Sequence, residues 1–167
     1  VLIVVAVHRF PVTVVHNPNP AEGQVSSLRL GLKALSPKID AALVALADQP
    51  LINSQDINDL IGAYKKRPAL VQVVQPEVQG QLGNPVMFSA EVREQILSSE
   101  ANIGCKHWQA AHPEAVQRWV TSNQRYCTDV DTLEDIEALA ARTGHRLRWP
   151  ADLLLSACNV FISGGAG

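Results

Sequence analysis

Cysteine, aromatic residues and long apolar runs are scarce in this 167-residue chain. The three cysteines, Cys105, Cys127 and Cys158, are scattered and outside any C-x-x-C spacing, which argues against a disulfide framework or a cysteine zinc site and favours a reducing compartment. No apolar run approaches the ~20 residues of a membrane span. The opening VLIVVAV has neither the basic segment nor the cleavage site of a signal peptide. We therefore expect a cytoplasmic protein with no membrane partner.

Positive charge is also scarce. The formal net charge is -2, and the longest basic run is Lys65-Lys66-Arg67. A nucleic-acid-binding surface needs a concentrated basic patch, so this composition predicts no nucleic acid partner but leaves a small anionic metabolite open. The length suits one domain that buries its core without disulfides.

Alternating apolar patterns predict an α/β fold. β-branched runs predict strands, and apolar residues three or four apart predict helices. The predicted strands are residues 1–7, 12–15, 41–47 and 70–74, and the predicted helices are residues 26–35, 54–63, 90–97 and the run between a Thr132 cap and a Gly144 cap. Residues 79–88 are predicted as a loop entering a strand, and residues 113–120 fit either a helix end or a strand. The βαβαβ order predicts a mostly parallel sheet flanked by helices, with the strand that ends at Ala47 near its centre.

Asp48 stands where the apolar run of residues 42–47 ends. An unpaired buried carboxylate is costly, so Asp48 needs a cation, a set of donors or water. The carboxyl ends of strands form the ligand crevice in open α/β sheets, which favours a metal-binding role. A structural role as a helix cap is the alternative, although Ser54 is better placed to cap the next helix.

Asp129 and Asp131 form a second acidic pair just before the helix capped by Thr132. Residues two apart in an extended segment point to the same side. Taken alone, the pair fits solvated carboxylates that are favoured by the helix dipole. Together with Asp48 it could converge on one divalent cation, and ligation by oxygen alone suits Mg²⁺.

Four segments in register resemble a known family: HNPNPAEGQVSSLRLGLKAL, DAALVALADQPLI, GNPVMFS and DVDTLEDI. This pattern resembles the molybdenum cofactor nucleotidyltransferases over roughly residues 1–142, and LADQPL is more similar to the cytidylyltransferase branch. The resemblance implies a Rossmann-like nucleotide-diphospho-sugar transferase fold. It also implies Mg²⁺-dependent transfer of CMP from CTP to the phosphate of molybdopterin, with release of pyrophosphate.

The resemblance also suggests roles for individual residues. Asp48 and Asp131 would be catalytic and hold the metal with Asp129 as a further ligand, Ser26, Ser27 and Gln49 would lie on the nucleotide side, and Asn84 would face the acceptor. Structural readings stay open beside these roles. The two serines fit helix N-caps, and Asn84 fits a turn residue before proline.

One part of the family pattern has no match here. Family members begin with a strand and a Gly-rich loop of the type L-A-A-G-x-S-x-R-M-G-x-x-K, which binds the triphosphate, whereas residue 1 of this chain corresponds to the second family strand. We therefore expect an N-terminally truncated relative that has little cytidylyltransferase activity alone. His107, His112 and Arg125 are predicted to be solvated surface residues that do not replace the loop.

The expected organisation is a nucleotidyltransferase-like domain over residues 1–144 and a C-terminal extension over residues 145–167. The ending VFISGGAG is typical of a strand that runs into a Gly-rich turn. It could dock in place of the missing strand or be disordered. Two other functions stay open: a non-catalytic homologue that dimerises through an exposed sheet edge and binds nucleotide weakly or not at all, and a sugar-1-phosphate nucleotidyltransferase.

Overall fold

The computed structural model describes residues 10–144 and the backbone of residues 161–164. The predicted strand at residues 1–7 lies outside the described residues. The helices are α1 (Gln24–Ala34), α2 (Ser54–Lys65), α3 (Ala90–Ser98), α4 (Cys105–Ala111) and α5 (Leu133–Thr143). The strands are β1 (Val12–Val15), β2 (Ala41–Val44), β3 (Val73–Val78), β4 (Gln81–Leu82), β5 (Val86–Ser89), β6 (Val116–Val120) and β7 (Phe161–Gly164). Short 3-10 turns cover Pro20–Glu22, Pro113–Ala115 and Gln124–Cys127.

The chain forms two compact units, which we describe separately. The first unit comprises the described parts of Val1–Ala42, Ser89–Pro113 and Ser156–Gly167. The second comprises the described parts of Leu43–Phe88 and Glu114–Leu155. The predicted boundary at residue 144 between a domain and an extension stays a prediction. None of the helices in the described residues is long and apolar enough to cross a membrane.

In the first unit, β1 pairs antiparallel with β7 in a register from Val12 opposite Gly164 to Val15 opposite Phe161. The prediction of a strand in the C-terminal VFISGGAG segment is thus confirmed for residues 161–164. Two arginines hold α1 and α3 together by capping each other's last turns. Arg93 donates from Nε to the Leu32 carbonyl at 2.9 Å, and Arg29 donates from Nη2 to the Leu97 carbonyl at 3.1 Å. Carbonyls at helix C-termini lack intrahelical partners, so each guanidinium satisfies groups that burial would otherwise leave unpaired.

In the second unit, β3 is the central and most buried strand of a five-stranded sheet. On one side β3 pairs antiparallel with β4 and β5, and on the other it pairs parallel with β6. The predicted α/β sheet with flanking helices is confirmed, and the sheet is mixed rather than mostly parallel. The reason is local. Gln79 and Gly80 both have positive φ, 51° and 84°, and such a two-residue turn folds the chain straight back into an antiparallel hairpin.

Strand β2 is shorter than predicted. It ends at Val44, and the alanines beyond it, Ala45 and Ala47, are exposed. It also stands at one end of the strand order in the described part of the chain, whereas we predicted it near the centre. The predicted strand at residues 70–74 is shifted to Val73–Val78, because Val71 closes a turn onto the Pro68 carbonyl. The ambiguous residues 113–120 contain both a 3-10 turn and β6.

The helix caps test the sequence predictions directly. Thr132 and Asp135 form a capping box at the start of α5, and Gly144 ends this helix with φ 72°, so both predicted caps are confirmed. Ser54 was the wrong choice for α2. Asn53 is the N-cap, and it forms a capping box with Asp56.

Candidate active site

Asp48 and the segment Asp129–Asp131 are joined by a backbone hydrogen bond in the second unit. The Val130 amide donates to the Asp48 carbonyl oxygen at 2.9 Å. The same segment is held at its other end, because the Asp131 amide donates to Asp135 Oδ2 at 3.1 Å within the cap of α5. Residue 130 therefore lies beside the turn that follows β2, with an aspartate on each side of it.

The Asp48 carboxylate is in an unfavourable environment for a negative charge. Its Oδ1 atom is buried and has no hydrogen-bond partner among the residues that the structure describes. Burial raises the pKa of Asp48 above its ordinary value of 3.8, and repulsion from Asp131 and Asp129 raises the pKa further, against a lowering by its own backbone amide. Repulsion of this kind acts only between carboxylates that are close to each other. A cation bound here would relieve both effects.

These carboxylates do not form a closed metal cage. In residues 10–144, no group of three or more His, Cys, Asp or Glu side chains is arranged to hold a metal ion. Asp129 and Asp131 have exposed side chains. Mg²⁺ usually keeps several water ligands and is bound by one or two carboxylates together with substrate phosphates. The donors at Asp48 and Asp131 fit such an open site better than an all-protein cage.

Gln49 and Asn84 meet at one backbone carbonyl. Gln49 Nε2 donates to the Tyr126 carbonyl at 3.0 Å, and the backbone N–H of Asn84 donates to the same oxygen at 2.9 Å. The peptide bond between Asn84 and Pro85 is cis. Gln49 is buried, and its Oε1 atom also lacks a hydrogen-bond partner among the described residues. Two unsatisfied buried acceptors thus come from consecutive residues, Asp48 and Gln49.

Sequence reasoning missed a buried polar network around Asp56, which is 0% exposed. Asp56 accepts hydrogen bonds from Arg125 Nη2 at 2.6 Å, Arg125 Nε at 2.9 Å and Asn123 Nδ2 at 2.7 Å. It also accepts one from the Asn53 amide at 3.0 Å, and the Tyr126 hydroxyl donates to the Asp56 carbonyl at 2.7 Å. The Asn53-x-x-Asp56 spacing is a capping-box signal that could have drawn attention to this carboxylate.

The prediction that Arg125 is a solvated surface residue was wrong, because its guanidinium forms a two-point ion pair with Asp56. His107 is exposed, as predicted. His112 is half-buried, stacks on Trp108 with ring centroids 4.4 Å apart, and places Nδ1 2.9 Å from the Trp108 carbonyl. In the described residues, neither histidine contacts the carboxylates of Asp48, Asp129 or Asp131 through any hydrogen bond or ion pair.

Ser26 and Ser27 belong to the first unit, in the first turn of α1. They do not cap this helix, because Gly23 is the N-cap. Asn17, which the sequence analysis did not single out, is buried and donates from Nδ2 to Ser26 Oγ at 2.8 Å and to Ser27 Oγ at 2.9 Å. Asn17 therefore fixes both hydroxyls at the start of α1.

The amino-acid sequence matches a known protein family. The sequence model of the family described as MobA-like NTP transferase domain matches residues 2–116. The matched range includes Asp48, Gln49 and Asn84 and ends before Asp129. No curated protein matches the chain significantly in sequence.

Three solved structures share the fold. The 4-diphosphocytidyl-2C-methyl-D-erythritol synthase of Anaerococcus prevotii is 16% identical with a TM-score of 0.58, and the match covers 74% of this chain and 65% of that one. An Rv0371c homologue from Mycobacterium sp. strain JC1 is 24% identical with a TM-score of 0.54, covering 70% and 56%. Rv0371c of Mycobacterium tuberculosis H37Rv, solved as a manganese complex, is 23% identical with a TM-score of 0.51, covering 68% and 58%. The chain thus spans less than two thirds of each of these proteins, and the likeness shows a Rossmann-like α/β fold.

Proposed function

The chain belongs to the MobA-like NTP transferase domain family, and from this premise we propose that it is a nucleotidyltransferase of the cytidylyltransferase type. Low activity of this chain alone stays a prediction. The proposed reaction transfers CMP from CTP to the phosphate of a molybdopterin-type acceptor with the help of Mg²⁺. An acceptor phosphate oxygen forms a bond to the α-phosphorus of CTP. The bond from that phosphorus to the bridging oxygen breaks, and pyrophosphate leaves.

The environment of Asp48 carries this proposal. A buried carboxylate oxygen without a partner, beside two further carboxylates, is unfavourable unless the site receives a cation. Joining two phosphate anions needs such a cation, because a divalent ion bound to phosphate oxygens neutralises the charge of both reactants. The manganese in the complex of Rv0371c supports divalent-ion binding in a protein of this fold.

In this proposal each residue has a distinct task. Asp48 and Asp131 would hold the ion, and Asp129 would add charge or serve as an alternative ligand. Gln49 would lie on the nucleotide side and Asn84 would face the acceptor, and both residues are positioned by hydrogen bonds to the Tyr126 carbonyl. Ser26 and Ser27 would contact the nucleotide through hydroxyls that Asn17 orients.

Substitution of Asp48 tests the proposal. We expect Asp48→Asn to weaken the binding of CTP in the presence of Mg²⁺ by about tenfold or more, because the substitution removes the charge that the ion needs. Isothermal titration calorimetry with CTP and MgCl₂ measures this change. Asp59→Asn is the matched control, since Asp59 is an exposed aspartate on α2 in the same unit, and its binding of CTP should equal that of the wild type. Equal affinity of wild type and Asp48→Asn would contradict the proposal.

The acceptor needs a separate assay. Release of pyrophosphate from CTP, measured with molybdopterin and in parallel with a sugar 1-phosphate, distinguishes the proposed acceptor from a sugar phosphate. The structural likeness to a diphosphocytidyl-methylerythritol synthase supports CTP as the donor.

A homodimer through an exposed sheet edge stays a prediction. In the described residues, β6 pairs with β3 on one side and has no partner strand on the other.

A further inference from the structure

We propose that the ion pair between Asp56 and Arg125 positions the segment Tyr126–Asp131 and thereby sets the geometry of the metal site. This inference rests on the proposed function. Neither residue would touch the ion or the substrate. Both are positioning residues that act through the backbone of the segment.

The carboxylate of Asp56 is held in place at the start of α2. Its carboxylate accepts four hydrogen bonds, one of them from the Asn53 amide in the capping box of α2. The side chain is fully buried, and the Tyr126 hydroxyl binds the carbonyl of the same residue. A carboxylate held in this way is a fixed anchor at the start of α2, since a buried and fully satisfied polar network is costly to rearrange.

Hydrogen bonds connect this anchor to residues 124–127. Arg125 and Asn123 bind Asp56 from within and just before the 3-10 turn Gln124–Cys127. Tyr126 in the same turn is held at both ends. Its hydroxyl binds α2, and its carbonyl accepts from Gln49 and Asn84. These contacts restrain the turn relative to Gln49 and to α2.

Backbone hydrogen bonds connect the turn Gln124–Cys127 to the segment of Asp129 and Asp131. The Thr128 amide donates to the Arg125 carbonyl at 3.3 Å, and the Val130 amide donates to the Asp48 carbonyl two residues later. Asp129 and Asp131 are exposed, and in the described residues neither side chain forms a hydrogen bond or ion pair of its own. Their position therefore depends on the backbone on either side of them, and Arg125 fixes the N-terminal side of that backbone.

Arg125→Lys in the full chain tests the inference. Lysine keeps the positive charge and loses the planar fork that binds both oxygens of Asp56. Since the Arg125 side chain is 42% exposed, the variant should fold. The first readout is hydrogen exchange of the Val130 amide by NMR, compared with the Ile136 and Val74 amides in α5 and β3. The second is the affinity for Mn²⁺ alone, measured by electron paramagnetic resonance of the free ion.

We expect exchange at Val130 to become about tenfold faster while Ile136 and Val74 stay unchanged, since only the local opening of the segment is affected. Mn²⁺ affinity should fall by about tenfold to a hundredfold, the usual effect of losing a group that orients metal ligands. Arg118→Lys is the matched control, because Arg118 is a more exposed arginine at 3.7 Å from Glu77 in the same unit. Neither readout should change in this control.

Two results would overturn the inference. Equal acceleration at Val130, Ile136 and Val74 would show that Arg125 supports only global stability. Unchanged exchange at Val130 would show that the ion pair does not hold the segment. Failure of the proposed function looks different, because Asp48→Asn would then leave Mn²⁺ affinity at the wild-type level, whereas exchange at Val130 would still report on the positioning by Arg125.

Discussion

Asp56→Asn is expected to lower the free energy of unfolding by about 3 kcal/mol. The carboxylate is fully buried and accepts hydrogen bonds from Arg125, Asn123 and the Asn53 amide. An amide of the same shape offers one acceptor oxygen and turns an NH₂ donor toward other donors, so at least one buried group loses its partner. Arg125 is partly exposed and can regain water, which limits the loss. Urea unfolding at pH 7 measures the change.

Asp59→Asn is the control for this loss, because Asp59 is exposed and its replacement should change the free energy by less than about 0.5 kcal/mol. A loss at Asp56 no larger than this would show that the network contributes little.

The pH dependence of stability gives a second check on Asp56. Arg125, followed by the Asn53 amide and Asn123, lowers the pKa of Asp56 below its ordinary value of 3.8 against the effect of burial. A carboxyl group whose pKa is lower in the folded state than in the unfolded state stabilises the protein at pH values above its unfolded-state pKa. This stabilisation is lost as the pH falls through the folded-state pKa. The difference in the free energy of unfolding between wild type and Asp56→Asn should therefore reach its full size above about pH 5 and shrink below about pH 4.

Gly83→Ala is expected to destabilise the protein by about 3 kcal/mol, at the upper end of the cost of overpacking a core. A Cβ atom at position 83 would lie 2.6 Å from the Tyr126 carbonyl oxygen and 2.9 Å from Tyr126 Cβ. Tyr126 cannot easily move away, because its hydroxyl and its carbonyl are both hydrogen-bonded. Thermal unfolding followed by circular dichroism should show a lower Tm for the variant.

Gly62→Ala is the matched control. Gly62 lies inside α2, and a Cβ there would have no heavy atom within 4 Å apart from the neighbouring residues and the helix's own backbone. Alanine is the better helix former, so this variant should be more stable than the wild type by up to about 1 kcal/mol. Opposite signs at the two glycines would show that contact with Tyr126, rather than glycine chemistry in general, decides the effect. A neutral Gly83→Ala would mean that the backbone around Tyr126 yields readily.

Contacts between distant residues account for what the sequence analysis missed. Asp56 and Arg125 are 69 residues apart, and neither has a local pattern that names the other as its partner. The central place of β3 was missed because a run of apolar residues predicts burial without saying which strands lie on either side. The candidate residues Gln49 and Asn84 were selected by resemblance, and their shared contact with the Tyr126 carbonyl had no signal in the sequence.

The sequence by itself determined the local features of this protein. Thr132, Asp135 and Gly144 define both ends of α5, because capping depends on residues within one turn of the helix end. The same holds for the start of α3 at residue 90 and for the helical run of α1. Only the tertiary structure decided that the sheet is mixed, that Val130 binds Asp48 and that Asp56 anchors Arg125. These features depend on hydrogen bonds and desolvation between segments far apart in the chain, and their strength is set by burial that forms only when the segments pack together.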